Sequence, residues 1–211
     1  MNPSNYLKIK NKIPSNVNIL AVSKGFKSQE IKTLLNLGQN DFGESKFQEA
    51  FEKQLILEDL QQISWHFIGR IQSNKIRKIV QNFQYIHSVD SFEKLHKISI
   101  VAREEKKNPL LMLQVKFSDD PNKGGFNPEH LILKWPEIQN LKHITLSGLM
   151  TINPKGFNSK ENLELFKKCR ALADSLQLPD CSMGMSGDWQ EAIEAGSTWL
   201  RLGSLIFGER S

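Results

Sequence analysis

The stretch CSMGMSGDWQEAIEAGSTWLRLGS, residues 181–204, contains one complete structural unit and the start of the next. Residues 181–185 form a short apolar run, as a strand does. Residues 188–195 carry a helical spacing of apolar positions, and Gly196 stands where a helix C-terminus favours glycine. Residues 199–203 form a second short run. Strand, helix and strand joined this closely make a parallel crossover unit.

The same unit recurs toward the N-terminus. Strands read at residues 19–24, 41–44, 65–69, 85–89, 110–117 and 144–150, with 110–117 the longest. Helices read at 28–37, 47–57, 73–80, 91–105, 128–134 and 159–176. Ser28 and Ser73 are expected to cap their helices, Gly38 follows the end of the first, and Pro128 suits a first turn. Eight strand–helix alternations close a (β/α)₈ barrel, for which about 200 residues is near the lower limit. The chain has 211 residues, so a single domain over 1–211 is expected, with room after Gly203 for one helical turn. The alternative is an open doubly wound sheet. Its dinucleotide-binding version is disfavoured because no Gly-x-Gly-x-x-Gly follows the first strand.

Composition narrows the classes further. Hydrophobic residues make up 39% and charged residues 24%, enough apolar side chains to build a core, which excludes disorder and collagen-like chains. Apolar runs such as Ile19-Leu20-Ala21-Val22 fall far short of the ~20 residues of a membrane helix. Residues 1–13 lack the apolar core of a signal peptide, so a cytoplasmic protein is expected. The net charge of +5 is spread along the chain with no basic tail, so no nucleic acid is required as partner. The cluster Arg70, Lys75, Arg77 and Lys78 alternates with Ile71, Ile76, Ile79 and Val80, the pattern of a solvated helix face. Cys169 continues the stripe Leu165-Cys169-Leu172-Leu176 and reads as a core residue. Two cysteines make no disulfide framework. The five histidines lack metal-site spacing, and His66 and His87, inside strands, are expected to be hydrogen-bonded core residues.

A barrel carries its chemistry on the C-terminal ends of its strands. Lys24 ends the first. A rim lysine held among cations and partly desolvated keeps more neutral amine for attack on a carbonyl, whereas one that exits to solvent does nothing of the kind. Ser186-Gly187-Asp188 opens a helix, and Gly203-Ser204 follows the last strand. Their backbone N–H groups are an anion site of the kind barrels build after strands seven and eight; Ser186 and Asp188 also read as plain helix-capping residues. Arg201 lies between Leu200 and Leu202, on the opposite face, where a buried guanidinium must find partners, either a ring nitrogen or a structural ion pair.

The ordered set of segments resembles the pyridoxal phosphate homeostasis protein family, itself similar to the barrel domain of bacterial alanine racemases. The carriers are Ala21-Val22-Ser23-Lys24, Phe42-Gly43-Glu44, Trp65-His66-Phe67-Ile68-Gly69, Gln72-Ser73-Asn74-Lys75, Ile86-His87-Ser88-Val89-Asp90, Lys123-Gly124-Gly125-Phe126, Gly148-Leu149-Met150-Thr151, Ser182-Met183-Gly184-Met185-Ser186, and the run from Arg201-Leu202-Gly203-Ser204 to Arg210. The resemblance implies that Lys24 forms a Schiff base with pyridoxal 5′-phosphate, that Arg201 faces its ring nitrogen, and that Ser186, Gly203 and Ser204 hold its phosphate. It further implies that Met150 packs near the cofactor and that Lys123 stands where racemases place an arginine. The chain departs from the family at Ser45, Arg70 and Gly187.

What the resemblance implies for function is a carrier of the cofactor, acting in vitamin B6 homeostasis and linked amino-acid balance, with apo-enzymes as possible recipients and a monomeric state. An amino-acid racemase is the alternative. Racemisation needs an acid/base on each face of a planar intermediate, and in alanine racemases the second is a tyrosine from another domain. The tyrosines here, Tyr6 and Tyr85, match no such position, and the chain ends at Ser211, so the carrier is expected. A third reading, a phosphate-sugar barrel enzyme, would use Lys24 as a phosphate contact alone.

Overall fold

A computed structural model describes residues 3–118 and 124–208. Eight strands, β1 (Asn18–Val22), β2 (Asp41–Glu44), β3 (Ser64–Phe67), β4 (Tyr85–Val89), β5 (Leu110–Gln114), β6 (Thr145–Met150), β7 (Asp180–Ser182) and β8 (Trp199–Leu202), close in that order into a parallel barrel. Closure is made by β1 on β8, in register from Asn18 opposite Trp199 to Ala21 opposite Leu202. That pairing excludes the open sheet.

Between successive strands lie α2 (Ser28–Leu35), α3 (Phe47–Ile56), α4 (Ile76–Asn82), α5 (Phe92–Glu104), α6 (Pro128–Gln139), α7 (Ser159–Ser175) and α8 (Trp189–Glu194), with α1 (Pro3–Lys10) before β1 and α9 (Ser204–Phe207) after β8. Strand alternation sorts side chains into two layers. The outward set, including Phe42, Ile86, Leu111, Leu149 and Leu200, packs under the helices against residues such as Ile31, Leu95 and Phe166. Each side chain buried this way contributes about 1.5–3 kcal/mol. Inside the barrel, Leu20, Met112, Met150 and Trp199 form a separate small plug. The Cys169 and Cys181 thiols are free and buried, as core residues are. In the basic stretch, Ile76, Ile79 and Val80 are buried while Arg77 pairs with Glu104 and Glu105, so it is a solvated helix face.

Several boundaries differ from the sequence reading. α1 was not anticipated: its eight residues bury only Tyr6 and Ile9, too few to show a period. It is fixed by tertiary contact, the Tyr6 hydroxyl donating to Gln39 Oε1 at 3.2 Å while Gln39 Nε2 donates to the carbonyls of Ile19 and Asp41. β5 stops at Gln114 because Phe126 takes over, its N–H donating to Gln114 O and its carbonyl accepting from Lys116 N–H. The longest described strand is β6. β7 ends at Ser182 because the chain turns at Gly184, whose φ is +93°. Lys27, not Ser28, precedes α2, and its N–H is taken by Glu30. Ser73 lies in a turn and α4 begins at Ile76. α6 runs to Gln139, past residue 134 and through Pro136, because Ile138 still has a buried face to fill.

Gly148 pairs in register with Asp180, and a Cβ there would lie 2.2 Å from the Asp180 carbonyl oxygen, a backbone atom that cannot move aside. Gly148→Ala is therefore expected to destabilise the barrel by about 1–3 kcal/mol. A lowered urea midpoint with unchanged m-value reads this; an unchanged midpoint contradicts it.

Candidate functional site

At the C-terminal end of the barrel a cleft of about 750 Å³ opens over β1, β7 and β8, lined by Lys24, Ser186, Gly187, Arg201, Gly203 and Ser204 and walled by Val22, Phe26, Ile68, Ile152 and Met185. That size suits a small-molecule ligand. Five residues singled out from the sequence, Lys24, Ser186, Arg201, Gly203 and Ser204, meet here although up to 180 positions separate them.

Lys24 stands one residue beyond Ser23 and immediately before Gly25, whose φ is +80°. The backbone on both sides is pinned from below. The Ser23 hydroxyl donates to Glu44 Oε1 at 2.7 Å. Lys53 Nζ donates to Ser23 O at 2.8 Å, to Glu44 Oε1 at 2.6 Å and to Glu49 Oε1 at 2.7 Å. The Gly25 N–H donates to Glu49 Oε1 as well. Burial pushes the Glu44 carboxyl up, against the pull of Lys53. For Glu49, burial also pushes upward, but the Lys53 and Gly25 hydrogen bonds outweigh it and the carboxyl sits below its ordinary range. Lys53 thus answers both carboxylates and the Ser23 carbonyl, while the Lys24 ammonium has no ion pair or hydrogen bond among the described residues. The Phe26 ring stacks on Phe207 at 4.6 Å, which ties the loop after β1 to α9.

Across the cleft, Asp188 Oδ1 accepts from the Met185 N–H at 2.6 Å and closes the turn before α8. Asp188 stands at the N-cap position of α8 but makes no side-chain capping bond to the helix, because its carboxylate is turned back to Met185; burial raises that carboxyl, opposed by the Met185 amide and by Arg201. Ser186 turns its hydroxyl the other way, toward the Leu205 N–H at 3.4 Å. The N–H groups of Gly187, Gly203 and Ser204 make no hydrogen bond among the described residues. A Cβ built on Gly187 would meet nothing within 4 Å, so the space before that backbone is open to a ligand. Uncommitted amides beside two hydroxyls are the donor set for a phosphate or carboxylate.

Arg201 enters from inside the barrel. It is 5% exposed, with Nη1 donating to the carbonyl and hydroxyl of Ser182 and Nη2 to the Thr151 carbonyl at 2.8 Å. Burial lowers its pKa to about 10, opposed by Asp188 and Cys169, so it stays cationic at neutral pH. The structural ion pair considered for it is not what holds it; carbonyls and a hydroxyl do. His66 and His87 are hydrogen-bonded core residues as expected, on Asp41, on each other and on Ser182.

Met150 belongs to the interior plug, against which Ile68 and Ile152 of the cleft wall pack. Lys123 lies outside the described residues. The sequence reading missed the Glu44–Lys53–Glu49 brace. Its one sequence signal was the i,i+4 spacing of Glu49 and Lys53 on α3.

A lysine, hydroxyls, uncommitted amides and an arginine thus share one cleft at the C-terminal end of a closed parallel barrel, the arrangement of a small-molecule site. The family model for the alanine racemase N-terminal domain matches residues 3–211, and the chain belongs to that family. The pyridoxal phosphate homeostasis protein of Synechocystis sp. is 44% identical over 99% of this chain and 98% of its own. That of Pseudomonas aeruginosa is 39% identical over 93% and 86%. PipY of Synechococcus elongatus, solved with and without PLP bound, superposes with TM-scores of 0.94 and 0.96 at 38% and 39% identity, covering 98% of this chain and 99% of PipY. Alanine racemase of Clostridium difficile, at 16% identity and TM-score 0.79 over 98% of this chain and 55% of its own, shares the fold.

The two buried rings give the site a pH signature. Burial lowers His66 and, further, His87 below the ordinary value of 6.5. In the unfolded chain both return to it and take up protons that the folded barrel refuses. Their contribution to stability is therefore present above about 6.5 and lost as pH falls below it. Urea midpoints are expected to drop between about pH 7 and pH 5, and to drop less in His87→Gln. Equal drops in the two proteins contradict this.

Proposed function

We propose that this chain binds pyridoxal 5′-phosphate in the β1–β7–β8 cleft and acts in the homeostasis of that cofactor. The observation that carries the reading is the placement of an unpaired lysine across one cleft from uncommitted backbone amides, with a buried arginine at its floor. Bound pyridoxal phosphate supplies an aldehyde that condenses with a primary amine and a ring that draws off electrons. The Lys24 amine is the group placed to make that link. Ser186, Gly203 and Ser204 take the phosphate through hydroxyl and backbone donors. Arg201 presents a permanent cation to the ring nitrogen and so disfavours its protonation, which weakens the ring as an electron sink. Val22, Ile68 and Ile152 exclude water from the ring.

The racemase reading has no support. The racemases share the fold at 16% identity, and neither tyrosine reaches the cleft: Tyr6 is bonded to Gln39, and Tyr85 stacks on His66 inside the barrel. A carrier needs only reversible capture and release; of the positions that depart from the family, Ser45 and Gly187 line the cleft and Arg70 lines a neighbouring one. Among the described residues no helix is long and apolar enough to cross a membrane. We further read residues 1–211 as one domain, monomeric and cytoplasmic, with apo-enzymes that need the cofactor as recipients, and Lys123 as a further contact to it.

The purified protein is expected to be yellow, and borohydride to fix the cofactor's mass on the peptide containing Lys24; mass on another lysine overturns the assignment. Lys24→Ala is expected to lose the visible band yet keep measurable affinity in dialysis, because the phosphate donors remain. Ser204→Ala is expected to weaken binding roughly tenfold, the worth of one hydrogen bond to a charged group. Transfer to an apo-enzyme, followed by its regained activity, tests the carrier role. α-Proton exchange on a free amino acid at enzymatic rates points to the racemase instead.

A further inference from the structure

The barrel interior holds a line of polar side chains that starts at Arg201 and leads away from the cleft. Arg201 Nη1 donates to Ser182 Oγ at 2.9 Å. Ser182 Oγ lies 2.9 Å from His87 Nδ1. His87 Nε2 lies 3.0 Å from His66 Nδ1, and His66 Nε2 lies 3.1 Å from Asp41 Oδ1. Ser182, His66 and His87 have no exposed surface. The Asp41 side chain is 30% exposed and lines a separate cleft of about 530 Å³ at the N-terminal end, with Lys10 and Gln39. The line therefore runs from one end of the barrel to the other.

Valence fixes the direction of every bond in it. Arginine only donates, so Ser182 Oγ accepts there; at the far end the Asp41 carboxylate only accepts, so His66 Nε2 is the donor to it. Burial keeps both rings neutral at neutral pH. A neutral imidazole has one donor and one acceptor nitrogen. His87 therefore carries its proton on Nε2 and gives it to His66 Nδ1. His87 Nδ1 is left to accept, and the Ser182 hydroxyl donates to it. The rings cannot turn over to escape this order: His66 is stacked on Tyr85 at 4.1 Å and 1° and wedged against Trp199 at 5.0 Å.

We propose that His66 and His87 are positioning residues, and that the one-way chain Arg201–Ser182–His87–His66–Asp41 holds the Arg201 guanidinium in place at the floor of the cleft. Donors aligned head to tail polarise one another. The lone pair that Ser182 offers the cation is strengthened by every link behind it and by the carboxylate at the far end. Removing a link leaves a buried polar group unpaired, which a barrel core does not tolerate cheaply. Arg201 Nη1 then loses the Ser182 hydroxyl and keeps the Ser182 carbonyl alone, with Nη2 on the Thr151 carbonyl. The inference depends on the proposed cofactor site solely for what Arg201 faces.

The test begins on the cofactor-free protein. Long-range ¹H–¹⁵N spectra at neutral pH are expected to show both rings neutral with the proton on Nε2; an Nδ1–H tautomer or a doubly protonated ring overturns the chain. Arg201 Nη protons are expected to exchange slowly with solvent. Asp41→Ala, a change at the partly exposed far end, is expected to speed that exchange at least several-fold, and Asp41→Asn, which keeps an acceptor oxygen, to restore it. Equal exchange in wild type and Asp41→Ala overturns the positioning role, as does equal acceleration in both variants, which marks a structural effect. If Asp41→Ala does not fold, the wild-type tautomers and His87→Gln exchange decide. With ¹⁵N-labelled pyridoxal phosphate bound, the ring-nitrogen resonance is expected to move in Asp41→Ala. A wild type that takes up no cofactor refutes the proposed function and leaves the tautomer and exchange results to judge the chain.

Discussion

The pairing of β1 with β8 is the contact on which the rest of the molecule depends. It closes the sheet, so no strand edge is left exposed, and it sets Ala21 opposite Leu202. From that register the two chains leave the barrel side by side. Lys24 lies three residues beyond Ala21, and Gly203 and Ser204 lie one and two beyond Leu202. A reactive amine and an anion cradle become neighbours through one hydrogen-bonded seam, reinforced above by Phe26 on Phe207. A slip of one residue would turn Arg201 out among the helices and Leu200 into the interior.

Two buried polar groups hold that arrangement from below, and each is held differently. The Lys53 brace is an ion cluster in which one cation answers two carboxylates and a carbonyl. Its value is positional: it fixes the backbone around Lys24 while leaving the Lys24 amine unengaged. Glu44 Oε2 is left buried without a partner, a sign that the cluster is built for placement and not for stability, since such an oxygen costs free energy. Arg201, by contrast, is held by neutral oxygens. That keeps its charge unquenched at the cleft floor, whereas a carboxylate in direct contact would cancel the field it presents.

Much of this was legible in the chain. The eight alternations, the helical turn after β8, and Arg201 opposite Leu200 and Leu202 all follow from periodicity and strand alternation. The misses share a cause. α1 has too few apolar residues to show a period and depends on the Gln39 bridge. β5 was read too long because residues 115–117 have strand character, yet Phe126 claims the neighbouring backbone.

By itself the sequence determined which residues alternate, where strands stop, and that a lysine, two serine-glycine turns and an arginine fall at strand ends. These are local properties, set by side-chain period and by the conformations that glycine allows. The tertiary structure alone decided which groups meet. Glu44, Glu49 and Lys53 converge on Ser23 only because β2 and α3 pack beside β1. Asp41, His66, His87 and Ser182 form one line only because four strands present inward positions to a closed interior. Such contacts depend on the curvature and register of a complete barrel, and no local pattern along the chain encodes them.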